Sequence, residues 1–437
     1  MSESIRGSAL LQSMAADQWQ HLPSGLTVIA RPMPEYSAAH VILATRFGSI
    51  HREFVLEGET LHLPAGTAHF LEHKMFEDEE GDAFAKFART GANANAFTIF
   101  DRTCYVFTAT SQLDQSLDVL LRMLTHPYFT AETVAKEQGI IGQEIKMYED
   151  TPDWRLMNTL LSCLYEAHPI RDDIAGSCES IAQLTPEMLY ACCRAFYQPG
   201  NLVLAAAGNI TMDQLLAACA RAGLDQPRPE IPVQRLWPAE SLLPARRRET
   251  LYMPVPMPWL GIGFKEQPIP AEDLRTEALY DLICGCILGG MSPLYRRLYD
   301  QGLVAPDFGG SVLHTEGCCC FLFAGESSSP ETVQQMLLEE IQRVRAEGVD
   351  REVFTLCKHE RYGQLIENLE NVEDSASQMA DFALSGQTVA QQIGMLAGLT
   401  AEDADRAMQQ IFSTDRMAVV QIFPDGGAPS GETEGED

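Results

Sequence analysis

The sequence has no apolar run approaching the ~18 to 20 residues needed to cross a bilayer, so no membrane span is expected. Its opening, Met1-Ser2-Glu3-Ser4-Ile5-Arg6, lacks the basic start and apolar stretch of a secretory leader, which reads as a cytoplasmic protein. Basic residues are scarce, 31 Lys and Arg against 61 Asp and Glu, giving a formal charge of −30. Phosphate backbones require a basic surface, so nucleic acid is excluded as a partner. The acidic surplus suits attraction of a cationic peptide, and a solvated acidic surface accounts for it equally well. No Cys-x-x-Cys pair occurs, which removes a deaminase-type zinc enzyme. The twelve cysteines fall in runs such as Cys192-Cys193 and Cys318-Cys319-Cys320. Neighbouring side chains in a helix or strand point in different directions, so buried reduced thiols are expected rather than disulfides or a zinc knuckle.

A length of 437 residues suits two domains of about 200 residues each. Residues 225–247 contain five prolines and no sustained period, and read as a linker between residues 1–224 and 248–428. Residues 429–437 are rich in Gly and Glu and read as a disordered acidic tail. The two halves repeat one order of elements. In the first, strand patterns near 26–32 and 40–47 precede a helix around His69, strands at 94–100 and 104–109, long helical patterns from 112 to 197, and a strand at 202–207. In the second, strands near 250–253 and 260–264 precede helices from 276 to 300, strands at 308–313 and 319–323, helices from 331 to 411, and a strand at 417–422. Leu184-Thr185-Pro186-Glu187 and Leu399-Thr400-Ala401-Glu402 each lead through a helix to a Phe and a strand, a faint internal repeat. The fold class expected is α+β, with two homologous domains, each a mainly antiparallel sheet packed with helices.

The chemistry concentrates in His69-Phe70-Leu71-Glu72-His73. Two histidines four apart stand on one helix face a turn from each other, as two nitrogen ligands require. Glu72 lies on the adjacent rail, close enough to reach a water without being a ligand. Gly66 or Thr67 would cap this helix, with Phe70, Leu71 and Phe76 burying its other faces. A catalytic zinc needs a third protein ligand, and Glu137 and Glu144, seven apart on one helical face, both qualify. Zinc held there would lower the pKa of a water to about 7, with Glu72 as the general base that carries its proton to the leaving amine. The plain alternative is a polar helix face with two satisfied histidines.

These residues resemble the pitrilysin/insulinase family of inverted-motif zinc peptidases. Three blocks carry the likeness: residues 69–73, residues 91–98 with Asp101-Arg102-Thr103-Cys104-Tyr105, and residues 137–144. Around His69–Phe76 and Gly142-Gln143-Glu144-Ile145 the chain is similar to the bacterial branch associated with 5-aminopentanol modification of elongation factor P. The resemblance implies Glu144 as third zinc ligand, Glu137 as its support, and residues 91–98 as an edge strand on which a peptide substrate lies. From the residues themselves, Asn95 and Ala96 have little bulk, so a peptide backbone could pair there in β-augmentation. An ordinary edge strand is the plainer reading. Active members of the family use an Arg and a Tyr seven apart to hold the substrate carbonyl. Here, with one gap in the alignment, Tyr299 and Ala305 stand at those positions, and Arg296 and Arg297 read as a solvated helix face. The implied function is a zinc endopeptidase subunit in a heterodimer, or a homodimer, with the Arg/Tyr pair supplied by a homologous partner without zinc. The alternative is a non-hydrolytic scaffold or binding subunit of such a dimer. His168-Pro169-Ile170-Arg171 resembles a structural loop of the family, and Trp154 would pack behind the metal.

Overall fold

A computed structural model describes residues 17–270 and 273–425. The acidic tail expected at 429–437 lies outside the described residues. The first half carries a six-stranded sheet of β1 (Gln18–His21), β2 (Thr27–Pro32), β3 (Ala39–Thr45), β8 (Asn93–Thr98), β9 (Thr103–Ala109) and β10 (Leu202–Gly208). Its order is β1-β2-β10-β3-β9-β8, with β2 and β10 parallel and all other neighbours antiparallel. The second half carries β12 (Arg248–Met253), β13 (Trp259–Lys265), β14 (Gly309–Thr315), β15 (Cys318–Glu326) and β16 (Met417–Pro424), ordered β12-β16-β13-β15-β14. Here β12 and β16 are the parallel pair, as β2 and β10 are in the first sheet, and the rest are antiparallel. From β2 and β12 onward the two sheets match strand for strand, so the faint sequence repeat reflects a repeat of topology. Thr185 and Thr400 each cap the helix that leads, through a 3-10 turn, into the strand second in this order.

Strand β3 is buried along its whole length, which explains its continuous apolar run in place of alternation. What covers it comes from far away in the chain. Helix Val372–Leu384 of the second half lies across β2, β10 and β3, placing Ala376, Met379, Ala380 and Ala383 against Ile42, Ala44, Ala205 and Ala207. Small side chains on both surfaces let helix and sheet approach closely. The converse holds for helix Pro152–Leu164 of the first half, which lies on β13 and β16 of the second sheet. Gly263 makes room for it, because a Cβ there would come within 2.6 Å of Leu164 Cδ1. Each sheet is therefore roofed on one face by a helix from the other half. The opposite face of the first sheet packs under its own helices Leu113–Thr125, Pro186–Phe196 and Met212–Arg221.

The segment at 225–247 is more ordered than its prolines suggest. Val233–Arg235 forms β11, which joins β4 (Glu53–Leu56) and β5 (Glu59–His62) in a small sheet, while β6 (Glu77–Asp78) and β7 (Gly81–Asp82) pair in a short ribbon. Further on, Glu240 accepts the backbone N–H groups of Glu166, Ala167 and His168 at 3.0, 2.7 and 2.6 Å. The same carboxylate accepts from Lys265 Nζ at 2.5 Å, and that ammonium also donates to the Leu164 carbonyl and sits 4.3 Å from the Tyr165 ring centroid. Proline forbids a long helix or central strand but not these isolated clamps, whose partners are distant in sequence. Among the described residues no single helix is long and apolar enough to cross a membrane.

Candidate metal centre

The histidine motif occupies helix Thr67–Met75. Gly66 stands at its N-cap with φ of 87° and no side-chain cap, and Thr67 turns its hydroxyl back to the Pro64 carbonyl at 2.7 Å. Two backbone crossings fix the start of this helix. A Cβ on Gly66 would lie 2.4 Å from the Ala175 carbonyl oxygen, and one on Gly176 would lie 2.5 Å from that of Ala65. Only glycine permits both, so residues 65–66 and 175–176 are pressed against each other. Phe70 and Leu71 are wholly buried and Met75 nearly so, leaving His69, Glu72 and His73 to face helix Ala131–Glu149.

That second helix is capped by Thr130, whose side chain accepts the Thr133 N–H at 3.2 Å. It presents Glu137 and Glu144 on one stripe. Glu144 Oε1 lies 3.7 Å from His69 Nε2, and Glu144 Oε2 lies 3.6 Å from His73 Nε2. One ligand atom from each of the three residues falls within 4.8 Å of the others. These separations are too long for hydrogen bonds. They approach the edge of a tetrahedron, since two ligands about 2.0–2.1 Å from one ion stand roughly 3.3–3.4 Å apart. Glu137 meets His73 on its far side, Oε1 to Nδ1 at 3.0 Å, which turns His73 Nε2 toward Glu144. His69 Nδ1 is buried without a hydrogen-bond partner, so packing alone holds that ring.

The charges agree with this geometry. Burial, together with the neighbouring His73, pushes His69 down to about 4 and keeps its imidazole neutral. Burial works to lower His73 as well, but its hydrogen bond to Glu137 and the surrounding carboxylates raise it overall. Burial lifts the Glu72 carboxyl to about 7, against the opposing effect of Thr98, whose hydroxyl donates to Glu72 Oε2 at 2.6 Å. Three carboxylates thus converge on two imidazoles, an excess of negative charge suited to a dication. The donor set, two imidazole nitrogens and one carboxylate, fits zinc with one position left open.

The chain's similarity to known proteins accords with these residues. The model for the insulinase peptidases of family M16 matches residues 61–177, and that for the M16 inactive domain matches residues 183–361. A Bacillus subtilis protein called an uncharacterized zinc protease, YmfH, is 32% identical over 417 residues, covering 93% of this chain and 96% of its own. The chain belongs to the M16, or insulinase, peptidase family. A crystal structure of an M16-like peptidase from Alicyclobacillus acidocaldarius is 32% identical to this M16 chain, with a TM-score of 0.90 over 94% of it and 98% of its own length. A protease from Helicobacter pylori shares the fold at 20% identity, with a TM-score of 0.80 over 93% of this chain and 99% of its own.

Of the remaining sequence candidates, Asn95 and Ala96 lie on β8, the edge strand of the first sheet, paired on one side with Val106 and Tyr105 of β9. Asn95 Oδ1 accepts the Ala96 N–H at 2.9 Å. Both residues line a cavity of about 590 Å3 together with Glu72, His73, Phe76, Phe84 and Glu137. In this M16 chain Tyr299 is exposed and stacks on Tyr295, while Arg296 and Arg297 pair with Asp300 and Glu340. Among the described residues the second half contains no cluster of His, Cys, Asp and Glu able to hold a metal. Sequence reasoning missed Thr98, Tyr148 and Asp173. Tyr148 carried a signal, since it stands one turn beyond Glu144 on the same helix, whereas Asp173 sits in a loop and carried none.

Proposed function

We propose that this chain is the metal-bearing subunit of a zinc-dependent endopeptidase that cleaves peptides or unstructured protein segments. The observation that carries the reading is the placement of both Glu144 oxygens 3.6–3.7 Å from the two histidine Nε2 atoms, with the Glu72 carboxyl buried beside them. His69, His73 and Glu144 would hold the ion, and Glu137 would orient His73. Zinc bound there supplies a Lewis acid that acidifies water and polarises a carbonyl. Glu72, held by Thr98, takes the proton and delivers it to the leaving amine. The open edge of β8 at Asn95 and Ala96 binds the substrate backbone as an added strand, and the adjacent 590 Å3 cavity receives one of its side chains. A homologous subunit without zinc supplies the Arg/Tyr pair that holds the carbonyl, because Tyr299 and Ala305 stand at those positions here. A homodimer would leave the carbonyl without that clamp. A cytoplasmic setting belongs to the same reading, supported by twelve cysteines that are all free thiols. The likeness to the branch associated with elongation factor P modification names no substrate.

A non-hydrolytic scaffold is the second reading, and the unfilled Arg and Tyr positions favour it. Zinc content separates the two at the first step. The purified chain is expected to hold about one zinc per molecule, and both His73→Ala and Glu144→Gln to lose most of it. No zinc in the wild type after adding the metal back would remove the catalytic reading and leave the scaffold. With zinc in place, hydrolysis of an unstructured peptide by the assembled dimer, abolished by a chelator, decides for the enzyme.

A further inference from the structure

Behind Glu144 runs a chain of contacts that returns to the histidine helix. Tyr148 donates its hydroxyl to Glu144 Oε1 at 2.7 Å. The Tyr148 ring stacks on Trp154, with centroids 4.6 Å apart and planes 18° from parallel. Trp154 Nε1 and Asn158 Nδ2 both donate to Asp173 Oδ2 at 2.6 Å, and Asp173 Oδ1 accepts the Ala175 N–H at 2.8 Å. Ala175 is the residue whose carbonyl presses on Gly66 at the start of the histidine helix. The circuit therefore joins the helix that carries His69 and His73 to the carboxylate that faces them. We infer that Tyr148 is a positioning residue for metal binding, braced through Trp154 and Asp173, and that this circuit holds Glu144 ready for the ion before it arrives. The inference rests on the zinc reading of the site.

A free glutamate side chain samples several rotamers, and only some turn both oxygens toward His69 and His73. The phenol hydrogen bond selects one of them, and the stack on Trp154 fixes the phenol in turn. Groups that orient metal ligands in this way are worth about 10- to 100-fold in affinity. Tyr148→Phe keeps the ring and its stack and removes only the hydroxyl. Zinc affinity, measured by competition with a chromophoric chelator, is expected to fall about 10- to 100-fold in this variant. The melting temperature of the metal-free protein should stay within about 2 °C of wild type, because one half-exposed hydrogen bond is lost. Asp173→Asn, which has one accepting oxygen and so cannot serve Trp154 and Asn158 on one side and the Ala175 N–H on the other, should also weaken zinc binding. Unchanged affinity in Tyr148→Phe overturns the assignment while the zinc reading stands. Destabilised metal-free protein with unchanged affinity overturns it in favour of a purely structural role. A wild type that binds no zinc removes both this assignment and the reading beneath it.

Discussion

Glu72→Gln is expected to retain its zinc and to lower peptide hydrolysis by the assembled enzyme about 10²- to 10⁴-fold, the range that a positioned general base contributes. The two effects separate because Glu72 is not placed as a ligand. Its Oε2 is committed to Thr98, while the atoms that converge on a common point belong to His69, His73 and Glu144. Glutamine has the same shape, and its side-chain oxygen can still accept from Thr98, so the fold around it should hold. What disappears is the capacity to take up a proton; in the metal-free chain burial lifts this carboxyl to about 7. Metal analysis beside a turnover assay of the same preparation checks the prediction. Unchanged turnover would mean that another group is the base; lost zinc would mean that Glu72 belongs to the ligand set.

The second large effect concerns stability. Glu240→Ala is expected to lower the unfolding free energy by about 3–5 kcal/mol, read from the urea midpoint. Lys265 is only 2% exposed, and without Glu240 its ammonium would be buried with the Leu164 carbonyl and the Tyr165 ring as partners but no counter-charge. Three backbone N–H groups would lose their acceptor at the same time. The double change Glu240→Gln with Lys265→Met should recover much of the loss, because a buried pair replaced as a pair leaves no orphaned charge. A pH dependence follows. Burial acts to raise the Glu240 carboxyl, but the Lys265 hydrogen bond and the backbone donors outweigh it and hold the group at about 2 instead of 4.5. A depressed folded-state value stabilises the fold above about pH 4.5, and that contribution drains away as pH falls toward 2. Acid unfolding of the Glu240 variants should lack this component.

The cluster of His69, His73, Glu137 and Glu144 was legible because helix geometry is periodic, although only the family resemblance chose Glu144 over Glu137 as the third ligand. A spacing of four from His69 to His73, and of seven from Glu137 to Glu144, places each pair on one stripe whatever the rest of the chain does. The sheets were legible for a similar reason, as apolar runs of strand length between turn signals. Short strands such as β4, β5 and β11 were not, since charged and apolar residues mix within three or four positions and pairing is decided by distant partners. The sequence of helix 372–384 announces an apolar face but not which sheet it will cover. Asp173 reads as a loop acid until the fold brings Trp154, Asn158 and Ala175 around it.

The exchange of roofing helices makes the two halves a single thermodynamic unit. Residues 1–224 expressed alone would expose the face of Ile42, Ala205 and Ala207, and residues 248–425 would expose that of Leu322, Val420 and Ile422. Each fragment is expected to be insoluble or molten by itself, and the two produced together to reassemble into one complementing pair. In calorimetry the intact chain should melt in one transition despite its duplicated architecture. Two sheets of one topology, each roofed from the other half, cannot be taken apart into two working copies.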